Sequence, residues 1–334
     1  AELTHDSFEG VEVALFSAGG SISKEFAPSA AAAGAVVVDN SSAFRMDPEV
    51  PLVVPEVNAA AAADHPRNII ANPNCTTIIS LMALAPLHEK FGLRAVIASS
   101  YQAVSGSGAQ GIIELDEQVK AIAEGREFTP KVYPRQIAFN VIPQVDAFTD
   151  NGYTKEEMKM HFEGRKILHQ PQLRASVTCV RVPVLRSHAV AVTAGFAERP
   201  DLDAARAAIE AAPGVQLVDD PAAGLYPTPL DAANGDDCLV GRLREDLVMD
   251  KGLTFWVVGD QVLKMVASRE IALTTGRVFV AVAPVTDDDH KPTFVVRTPE
   301  RDVSAWGTKF AVTVTDGATG VMVTQGKVQV SGVD

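Results

Sequence analysis

The sequence predicts an α/β protein with a parallel sheet, followed by a C-terminal all-β domain. Residues 11–42, VEVALFSAGGSISKEFAPSAAAAGAVVVDNSS, have the pattern of a strand, a glycine turn, an Ala-rich helix and a second strand. Such a βαβ unit requires a parallel sheet, because its two strands run in the same direction. In residues 269–334, which lack a helical pattern, TKFAVTVTDGATGVMVTQGKVQV alternates valine and threonine around Asp316-Gly317 and Gly326. This alternation predicts antiparallel hairpins, with a boundary near residues 265–270.

The segments between these two regions have mixed patterns. VPLVVPEVN and NIIANPN read as extended, and LRAVIASSYQAVSGSGAQG reads as a strand that runs into a Ser/Gly loop. GIIELDEQVKAIAEG and DLDAARAAIEAAPG have helical spacing, and ASVTCVRVPVLRSHAVAVTAGF alternates as strands. TKEEMKMHFEGRKIL predicts a polar helix with Thr154 as its N-cap and Glu157 as the capping-box partner.

Length and charge limit the possible classes of function. The 334 residues suffice for two domains, each with its own core. The net charge of −13 argues against a nucleic-acid or membrane partner, because phosphates would be repelled. Residues 269–334 contribute only −1 of this charge, from seven Lys or Arg against eight Asp or Glu. A small anionic substrate stays compatible, since it needs only a few well-placed cations.

The three cysteines, Cys75, Cys179 and Cys238, are odd in number and far apart in the sequence. This arrangement predicts neither a disulfide nor a metal site, and it favours a reducing compartment. No apolar run reaches the roughly 18 residues of a membrane span. The stretch AELTHDSFEG lacks the basic and apolar regions of a signal peptide. We therefore expect a soluble, cytoplasmic protein.

Cys75 lies in ANPNCTTI, where the helix-like segment TTIISLMALAPLHEKFG begins. At a helix N-terminus, the macrodipole and the unpaired N–H groups favour thiolate over thiol. The same N–H groups can bind the oxyanion that forms when sulfur attacks a carbonyl, and Asn74 can orient the group or add a donor. The alternative is a small buried hydrophobic residue, which is what most cysteines are.

Three further polar residues favour the nucleophile interpretation of Cys75. Gln102 ends a predicted strand beside the Ser/Gly loop, and Arg181 and His188 are seven positions apart on a predicted strand-turn-strand. Histidine supplies a general acid or base near neutral pH, and arginine offers a bidentate carboxylate clamp. Each type of residue is usually structural when it stands alone. The other two cysteines are expected to be structural, one in an apolar strand and one in an acidic loop.

Nine ordered stretches carry a family resemblance: LFSAGGSISKEFAP, VVVDNSSAFRMDPEVPLVVPEVN, NPNCTTI, YQAVSGSG, FNVIPQVDAF, YTKEEMKM, RVPVLRSH, PTPLDAANGDDCLVGRLRED and GLTFWVVGDQ. In their order and spacing, the sequence resembles aspartate-β-semialdehyde dehydrogenase over about residues 1–264. The resemblance implies a truncated Rossmann-like nucleotide domain and an α+β catalytic and dimerisation domain of the semialdehyde dehydrogenase type. It also implies a homodimer.

The resemblance implies NADP-dependent reductive dephosphorylation of L-aspartyl 4-phosphate to L-aspartate 4-semialdehyde through a cysteine thioester. This reaction belongs to the biosynthesis of lysine, methionine and threonine. Cys75 matches the nucleophile and His188 the acid/base. The positions that match substrate-binding residues are Gln102 and Arg181, which hold the substrate, Arg45 and Lys159 for its phosphate, Glu156 for its ammonium group, and Asn74. Ser105, Gly106 and Gln261 match positions near the nicotinamide.

One departure from the family pattern concerns the cofactor's phosphates. The family begins with a strand and a GxxGxxG turn at the first helix N-terminus, where these phosphates lie. Here HDSFEGVEVALFSAGG corresponds to the later part of the nucleotide domain, and SAGG is a weak phosphate loop. This difference predicts an unpaired sheet edge, weak NADPH binding and impaired turnover.

A second departure follows Lys264, where the family's closing helix is replaced. GRVFVAVAP, FVVRTPERDVSAWGTKFAVTV and VMVTQGKVQVSG resemble the FecR-like domain of bacterial transmembrane signalling regulators. Trp306 and Phe310 are expected to be core residues of that domain. We expect a partial dinucleotide-binding domain at 1–74, a catalytic and dimerisation domain at 75–264 and a FecR-like β domain at 265–334. Such a fusion of two families leaves an alternative function, a catalytically silent protein that acts as a β-domain interaction or signalling module.

Overall fold

The computed structural model describes residues 3–264, 270–272, 276–281, 294–299, 301–305, 309–315, 318–325 and 328–332. The helices in these ranges are α1 (Gly20–Ala32), α2 (Pro55–Asn58), α3 (Cys75–Phe91), α4 (Ala109–Ala123), α5 (Lys155–Ile167), α6 (Leu202–Glu210), α7 (Pro229–Ala232) and α8 (Gln261–Lys264). Short 3-10 helices cover His5–Phe8, Ala59–Ala63 and Val104–Ser107.

The strands in the same ranges are β1 (Val13–Phe16), β2 (Val36–Asp39), β3 (Ile69–Ala71), β4 (Leu93–Gln102), β5 (Arg174–Arg181), β6 (His188–Phe196), β7 (Val215–Leu217), β8 (Cys238–Glu245) and β9 (Gly252–Gly259). They continue with β10 (Glu270–Ala272), β11 (Gly276–Ala281), β12 (Phe294–Arg297), β13 (Arg301–Ala305), β14 (Lys309–Thr315), β15 (Ala318–Gln325) and β16 (Val328–Gly332). The α/β class is therefore confirmed, as is the all-strand character of the described C-terminal residues.

The chain forms two compact units, and the first combines both ends of the sequence. This unit comprises Ala1–Val53, Ala59–Pro73 and Val266–Asp334. Its main sheet has the order β15-β14-β11-β1-β2-β3, and a second sheet has the order β10-β12-β13-β16. Strands β1 and β2 are parallel and joined by α1, which confirms the predicted βαβ unit.

Strand β11 lies beside β1, and this pairing corrects the expectation of an unpaired edge. The two strands are parallel, with Val13 opposite Val278 and Leu15 opposite Val280. Val278 and Val280 are buried in a cluster with valines of β12, β13 and β14, and Val13 and Leu15 pack against it. A strand distant in sequence therefore occupies the position that the N-terminal pattern left open. The chain thus forms two compact units. The expected division into three domains stays a prediction.

Only one of the two expected C-terminal hairpins forms. Strands β14 and β15 are antiparallel neighbours, with Thr315 opposite Ala318, as predicted for the first hairpin. The second expectation, a hairpin around Gly326, is wrong, because β16 pairs with β13 instead of β15. The turn residues Asp316, Gly317 and Gly326 lie outside the described residues, as does Trp306, and Phe310 is described only as part of β14.

The second unit comprises Val54–Asn58 and Asn74–Met265 and contains a mixed sheet of order β5-β4-β6-β9-β8-β7. Helix α3 is buried along most of its length, in accordance with its apolar sequence. Helix α5 begins with the predicted capping box: Glu157 donates its backbone N–H to the Thr154 hydroxyl (3.3 Å), and Thr154 donates its own to the Glu157 carboxylate (2.6 Å).

The predicted strand-turn-strand at Arg181 and His188 is confirmed, since β5 ends at Arg181 and β6 begins at His188, although the two strands lie on opposite sides of β4. Two other local expectations about the second unit need correction. The segment expected to be extended through residue 58 ends in a helix, Pro55–Asn58. Cys238 is the fully buried first residue of β8 and does not lie in an acidic loop, so burial overrides the local acidic pattern there.

Candidate active site

Cys75 is the first residue of α3, and Asn74 is its N-cap. The Asn74 Oδ1 accepts the Thr77 N–H at 3.2 Å, which satisfies one of the unpaired donors of the first helical turn. The Asn74 Nδ2 lies 3.9 Å from the Cys75 Sγ. The Glu163 carboxylate of α5 accepts the Asn74 N–H at 2.7 Å. The buried sulfur is thus held at the positive end of a helix, beside an amide donor.

Glu156 joins Asn74 to two other candidate residues. Its Oε1 accepts from the Asn74 Nδ2 at 3.0 Å and from the Gln102 Nε2 at 3.2 Å, and its Oε2 contacts the Lys159 Nζ at 2.6 Å. Burial raises the pKa of Glu156, but the Lys159 charge and the hydrogen bonds from Lys159, Asn74 and Gln102 bring it below its ordinary value. Glu156 is therefore a buried carboxylate at neutral pH, and it can face a cation.

Three candidate side chains stand in register at one end of the sheet. Gln102 ends β4 and pairs with Arg181, the last residue of β5. On the other side of β4, Tyr101 pairs with Ala189, so His188 begins β6 next to Gln102. Parallel and antiparallel pairing together thus align an amide, a guanidinium and an imidazole that are distant in the sequence. All three residues are buried.

His188 is oriented by the backbone. Its Nδ1 accepts the Ala103 N–H at 3.1 Å, so the neutral ring carries its proton at Nε2. That Nε2 is fully buried and has no hydrogen-bond partner among the described residues. Burial first, and the Arg181 charge second, lower the pKa of His188 well below its ordinary value, and a backbone hydrogen bond at Ser187 opposes them. Buried polar atoms are normally paired, so this atom indicates where a ligand group would bind.

Gly106 packs closely against Arg181 and His188. A Cβ at Gly106 would lie 2.8 Å from the Arg181 Nη1 and 3.0 Å from the His188 Nε2. Any side chain at this position would therefore displace at least one of the two groups. Arg181 itself donates from Nη1 to the Ala103 carbonyl at 2.6 Å.

Two of the expected cofactor residues contact each other directly. The Gln261 Nε2 donates to the Ser105 Oγ at 2.6 Å, and its Oε1 accepts the Ser187 N–H at 3.0 Å. Ser187 has a left-handed backbone (φ 72°), an uncommon conformation for a residue with a side chain. The expected role of Ser105, Gly106 and Gln261 beside the nicotinamide stays a prediction.

Arg45 lies in the first unit and is held by backbone carbonyls. Its Nε donates to the Asn72 carbonyl at 2.8 Å, and its Nη2 donates to the Asn40 carbonyl at 3.1 Å. Lys159, the other expected phosphate ligand, lies in the second unit and contacts Asp146 at 3.6 Å in addition to Glu156. The phosphate-binding role of both residues stays a prediction.

The other two cysteines differ sharply from a reactive thiol. Burial raises the pKa of Cys179 to about 12; a hydrogen bond with Ser100 opposes this, and the charges of Glu156, Glu157 and Cys75 add to it. Burial likewise raises the pKa of Cys238 to about 12, against the charge of Lys264. Cys179 lies in β5 and Cys238 in β8, and none of the three cysteines forms a disulfide in the described structure.

The sequence reasoning missed several residues that hold this site. Thr76 accepts from the Gln102 Nε2 at 3.0 Å, and Tyr133 places its ring beside Arg181. Glu163 carried a usable signal, because it follows Glu156 by seven positions and so lies two helical turns away on the same face. Tyr133 carried none, since it lies in a segment without periodicity.

The fold and these side chains are those of an oxidoreductase of the semialdehyde dehydrogenase type. Residues 1–65 match the family model of the semialdehyde dehydrogenase NAD binding domain, and residues 84–264 match that of the semialdehyde dehydrogenase dimerisation domain. A nicotinamide cofactor is therefore indicated. Residues 257–329 match the FecR protein model.

Aspartate-semialdehyde dehydrogenases are the relatives over most of the chain. That of Aquifex aeolicus (strain VF5) is 48% identical over 271 residues, which are 80% of this chain and 79% of the relative. That of Bacillus subtilis (strain 168) is 48% identical over 281 residues, 81% of each. The crystal structure of aspartate semialdehyde dehydrogenase II from Vibrio cholerae superposes with a TM-score of 0.75 at 46% identity, over 77% of this chain and 76% of that one. The chain belongs to the aspartate-semialdehyde dehydrogenase family.

The described ranges contain neither a membrane-spanning helix nor a cluster of metal ligands. None of the helices there is both long and apolar enough to cross a membrane. No group of three or more His, Cys, Asp or Glu side chains in those ranges is arranged to hold a metal ion.

Proposed function

We propose that this protein catalyses the NADP-dependent reductive dephosphorylation of L-aspartyl 4-phosphate to L-aspartate 4-semialdehyde through a thioester on Cys75. The observation that carries the proposal is the contact network that joins the Cys75 helix end to Glu156 and Gln102, in register with Arg181 and His188. A Vibrio cholerae relative of 46% identity was solved in complex with ASA, which supports the substrate class. The reaction would serve lysine, methionine and threonine biosynthesis.

The described side chains account for the acyl-transfer step. The Cys75 thiolate attacks the acyl carbon of the substrate, the C–O bond to phosphate breaks, and inorganic phosphate leaves with the bonding electron pair. The Asn74 Nδ2, next to the sulfur, and the N–H groups of the first turn of α3 can donate to the oxyanion. The His188 Nε2, which carries the ring proton, can donate to the substrate oxygen during the reductive half-reaction.

The substrate's three charged groups have matching partners among the candidate residues. Arg181 suits the α-carboxylate, and the buried Glu156 carboxylate suits the ammonium group. Arg45 and Lys159 suit the phosphate. In the structure Lys159 contacts Glu156, so substrate binding would exchange this internal ion pair for two contacts with the substrate.

Ser105, Gly106 and Gln261 are the residues that we expect to hold the nicotinamide. Gly106 packs closely against Arg181 and His188, and the hydrogen bond between Gln261 and Ser105 fixes the amide side chain. When bound, the cofactor would supply the hydride that reduces the thioester. The NADP preference over NAD rests on the family resemblance.

Two properties of the protein in the cell belong to the same proposal. The match of residues 84–264 to a dimerisation domain supports a homodimer, which light scattering of the purified protein would test. The odd number and wide spacing of the three cysteines favour a reducing compartment, and we expect the protein in the cytoplasm.

A paired experiment tests the proposed reaction. Aspartyl phosphate without NADPH should produce an aspartyl adduct, detected by intact mass, in the wild type and not in Cys75→Ser. Addition of NADPH should discharge the adduct and oxidise the cofactor, with absorbance as the readout, and we expect weak NADPH binding and slow turnover. Absence of both signals in a folded protein contradicts the proposal. That result would favour the second candidate, a silent protein with a β-domain interaction role, which the FecR match supports.

A further inference from the structure

Tyr133 lies beside Arg181, a residue that we expect to bind the substrate, although no sequence motif includes it. Its ring is buried, and the Arg181 Cζ lies 6.0 Å from the ring centroid. A guanidinium at this distance over an aromatic face is attracted by the ring quadrupole, and the attraction is stronger when water is excluded. The tyrosine is therefore placed to stabilise one orientation of the charged group.

The ring is held from two sides. Its hydroxyl donates to the Val104 carbonyl at 3.2 Å, within the 3-10 helix Val104–Ser107. On the other side, the buried Glu114 carboxylate of α4 accepts the N–H groups of Lys131 (2.8 Å) and Tyr133 (3.4 Å). Gln118, one turn further along α4, accepts the N–H groups of residues 137 and 138. An irregular segment thus becomes a fixed support for the ring.

Arg181 is constrained from the other direction. Its Nη1 donates to the Ala103 carbonyl, and Ala103 precedes the Val104 carbonyl that accepts from Tyr133. The guanidinium is therefore fixed by a ring and a carbonyl that share one backbone segment. Gly106 packs against the same Nη1, since a Cβ there would lie 2.8 Å from it, so the guanidinium is enclosed on that side as well.

We propose that Tyr133 is a positioning residue that orients Arg181 for the substrate carboxylate. The inference rests on the proposed function, in which Arg181 binds that group. The π face of Tyr133 sets the plane of the guanidinium, so that two N–H groups can point at the carboxylate together. Glu114 and Gln118 act one step further away, because they hold the segment that carries the ring.

Simple core packing is the competing explanation, and it makes a different prediction. Tyr133 belongs to a buried cluster with Val104, Leu115, Ile137, Ala138 and Ile142. If the ring served only to fill this cluster, any side chain of similar volume would serve. A positioning role instead requires an electron-rich face and tolerates loss of the hydroxyl.

The experiment compares Tyr133→Met, which keeps a large apolar side chain but no π face, with Tyr133→Phe, which keeps the ring. Binding of L-aspartate 4-semialdehyde is measured by calorimetry in a Cys75→Ser background, and KM and kcat are measured with Cys75 present. We expect Tyr133→Met to weaken binding and raise KM by about tenfold with a smaller change in kcat. Tyr133→Phe should stay within about threefold of the reference. Thermal unfolding reports whether each variant is folded.

Two further measurements separate positioning from packing. In an Arg181→Lys background, Tyr133→Met should cost less than about twofold, because its effect acts through Arg181. Fluorinated phenylalanines at position 133 keep the shape of the ring while they weaken its π face, and they should raise KM stepwise. An equal loss in both backgrounds, or no trend with fluorination, would overturn the inference alone. Absence of binding by the reference protein would overturn the proposed function together with it.

Discussion

The carboxyl end of β4 and the valine cluster of the first unit are both buried, but the side chains that fill the two regions have opposite polarity. In the cluster, Val278, Val280, Val296, Val303, Val312 and Val314 are at most 2% exposed, and backbone ladders pair the polar groups between their strands. At the end of β4, the buried side chains themselves are polar: Gln102, Glu156, Arg181 and His188. The first region holds the strands together by apolar contact. The second keeps charge and hydrogen-bonding capacity out of water.

This difference indicates where chemistry can occur. A buried polar group costs free energy unless it is paired, and almost every polar group around Cys75 has a partner. The exceptions among the buried side chains of the described residues are the Ser187 Oγ and the His188 Nε2. Polar groups that are fixed by neighbours but retain one unused atom are prepared for a ligand. The valine cluster offers no such atom.

The largest expected effect concerns the three cysteines. Burial raises the pKa of Cys179 and Cys238 to about 12, from an ordinary value of 9.0, which cuts their thiolate fraction by about 10³-fold near pH 7. We expect iodoacetamide to label Cys75 faster than either by at least about 10²-fold, because Cys75 lies at a helix N-terminus. Peptide mapping after brief labelling measures the ratio. Preferential labelling of Cys179 or Cys238 would contradict the nucleophile assignment.

The second prediction concerns the close packing at Gly106. In Gly106→Ala, the new methyl group would contact the Arg181 Nη1 and the His188 Nε2 at 2.8–3.0 Å, so one of them must move. We expect kcat/KM to fall by about 10²-fold, since small misplacements of reacting groups have effects of this size. Gly164→Ala in α5 is the matched control, because its methyl group would meet Leu173 at an ordinary 3.6 Å. Equal activity of the two variants would show that the close packing at Gly106 does not affect catalysis.

The sequence predicted the parts of this site that are local. Cys75 in the first turn of α3 and the Thr154 capping box each follow from residues within one turn of each other, whereas the N-cap role of Asn74 was not predicted. The pairing of Gln102 with Arg181 and the position of His188 depend on β4 entering between β5 and β6. No local periodicity encodes that insertion, so the predicted strand-turn-strand could not state that β4 lies between its two strands.

The same limit applies to the first unit. Alternation of valine and threonine correctly indicated strands, but it could not state which strand neighbours which. β11 pairs with β1 although more than 250 positions separate them, and β16 bypasses β15 to pair with β13. Strand partners are chosen by long-range burial, which a single sequence shows only as a set of compatible apolar faces.

The third prediction addresses that long-range pairing. Val280 is fully buried in β11 and opposes Leu15 of β1, whereas Val330 in β16 is 48% exposed. We expect Val280→Ala to lower the free energy of unfolding by about 1–3 kcal/mol, and Val330→Ala to change it by less than about 0.5 kcal/mol. Denaturant unfolding measures both. If Val280→Ala also slowed the iodoacetamide labelling of Cys75, the valine cluster would affect the candidate active site in addition to stability.

The smallest expected effect is the pH dependence that His188 contributes. Its pKa in the folded protein lies well below the ordinary value of 6.5 because of burial and the Arg181 charge. Below that ordinary value the unfolded chain binds a proton that the folded protein does not, so stability falls as the pH falls.

In His188→Asn, the amide oxygen can still accept the Ala103 N–H, but no proton is taken up. The variant should therefore lose less stability than the wild type between about pH 8 and pH 5 in thermal unfolding experiments. His88, whose pKa burial also lowers, is present in both proteins and cancels in the comparison. Identical pH slopes would mean that the histidine is charged in the folded state, and the neutral donor role of its Nε2 would then be wrong.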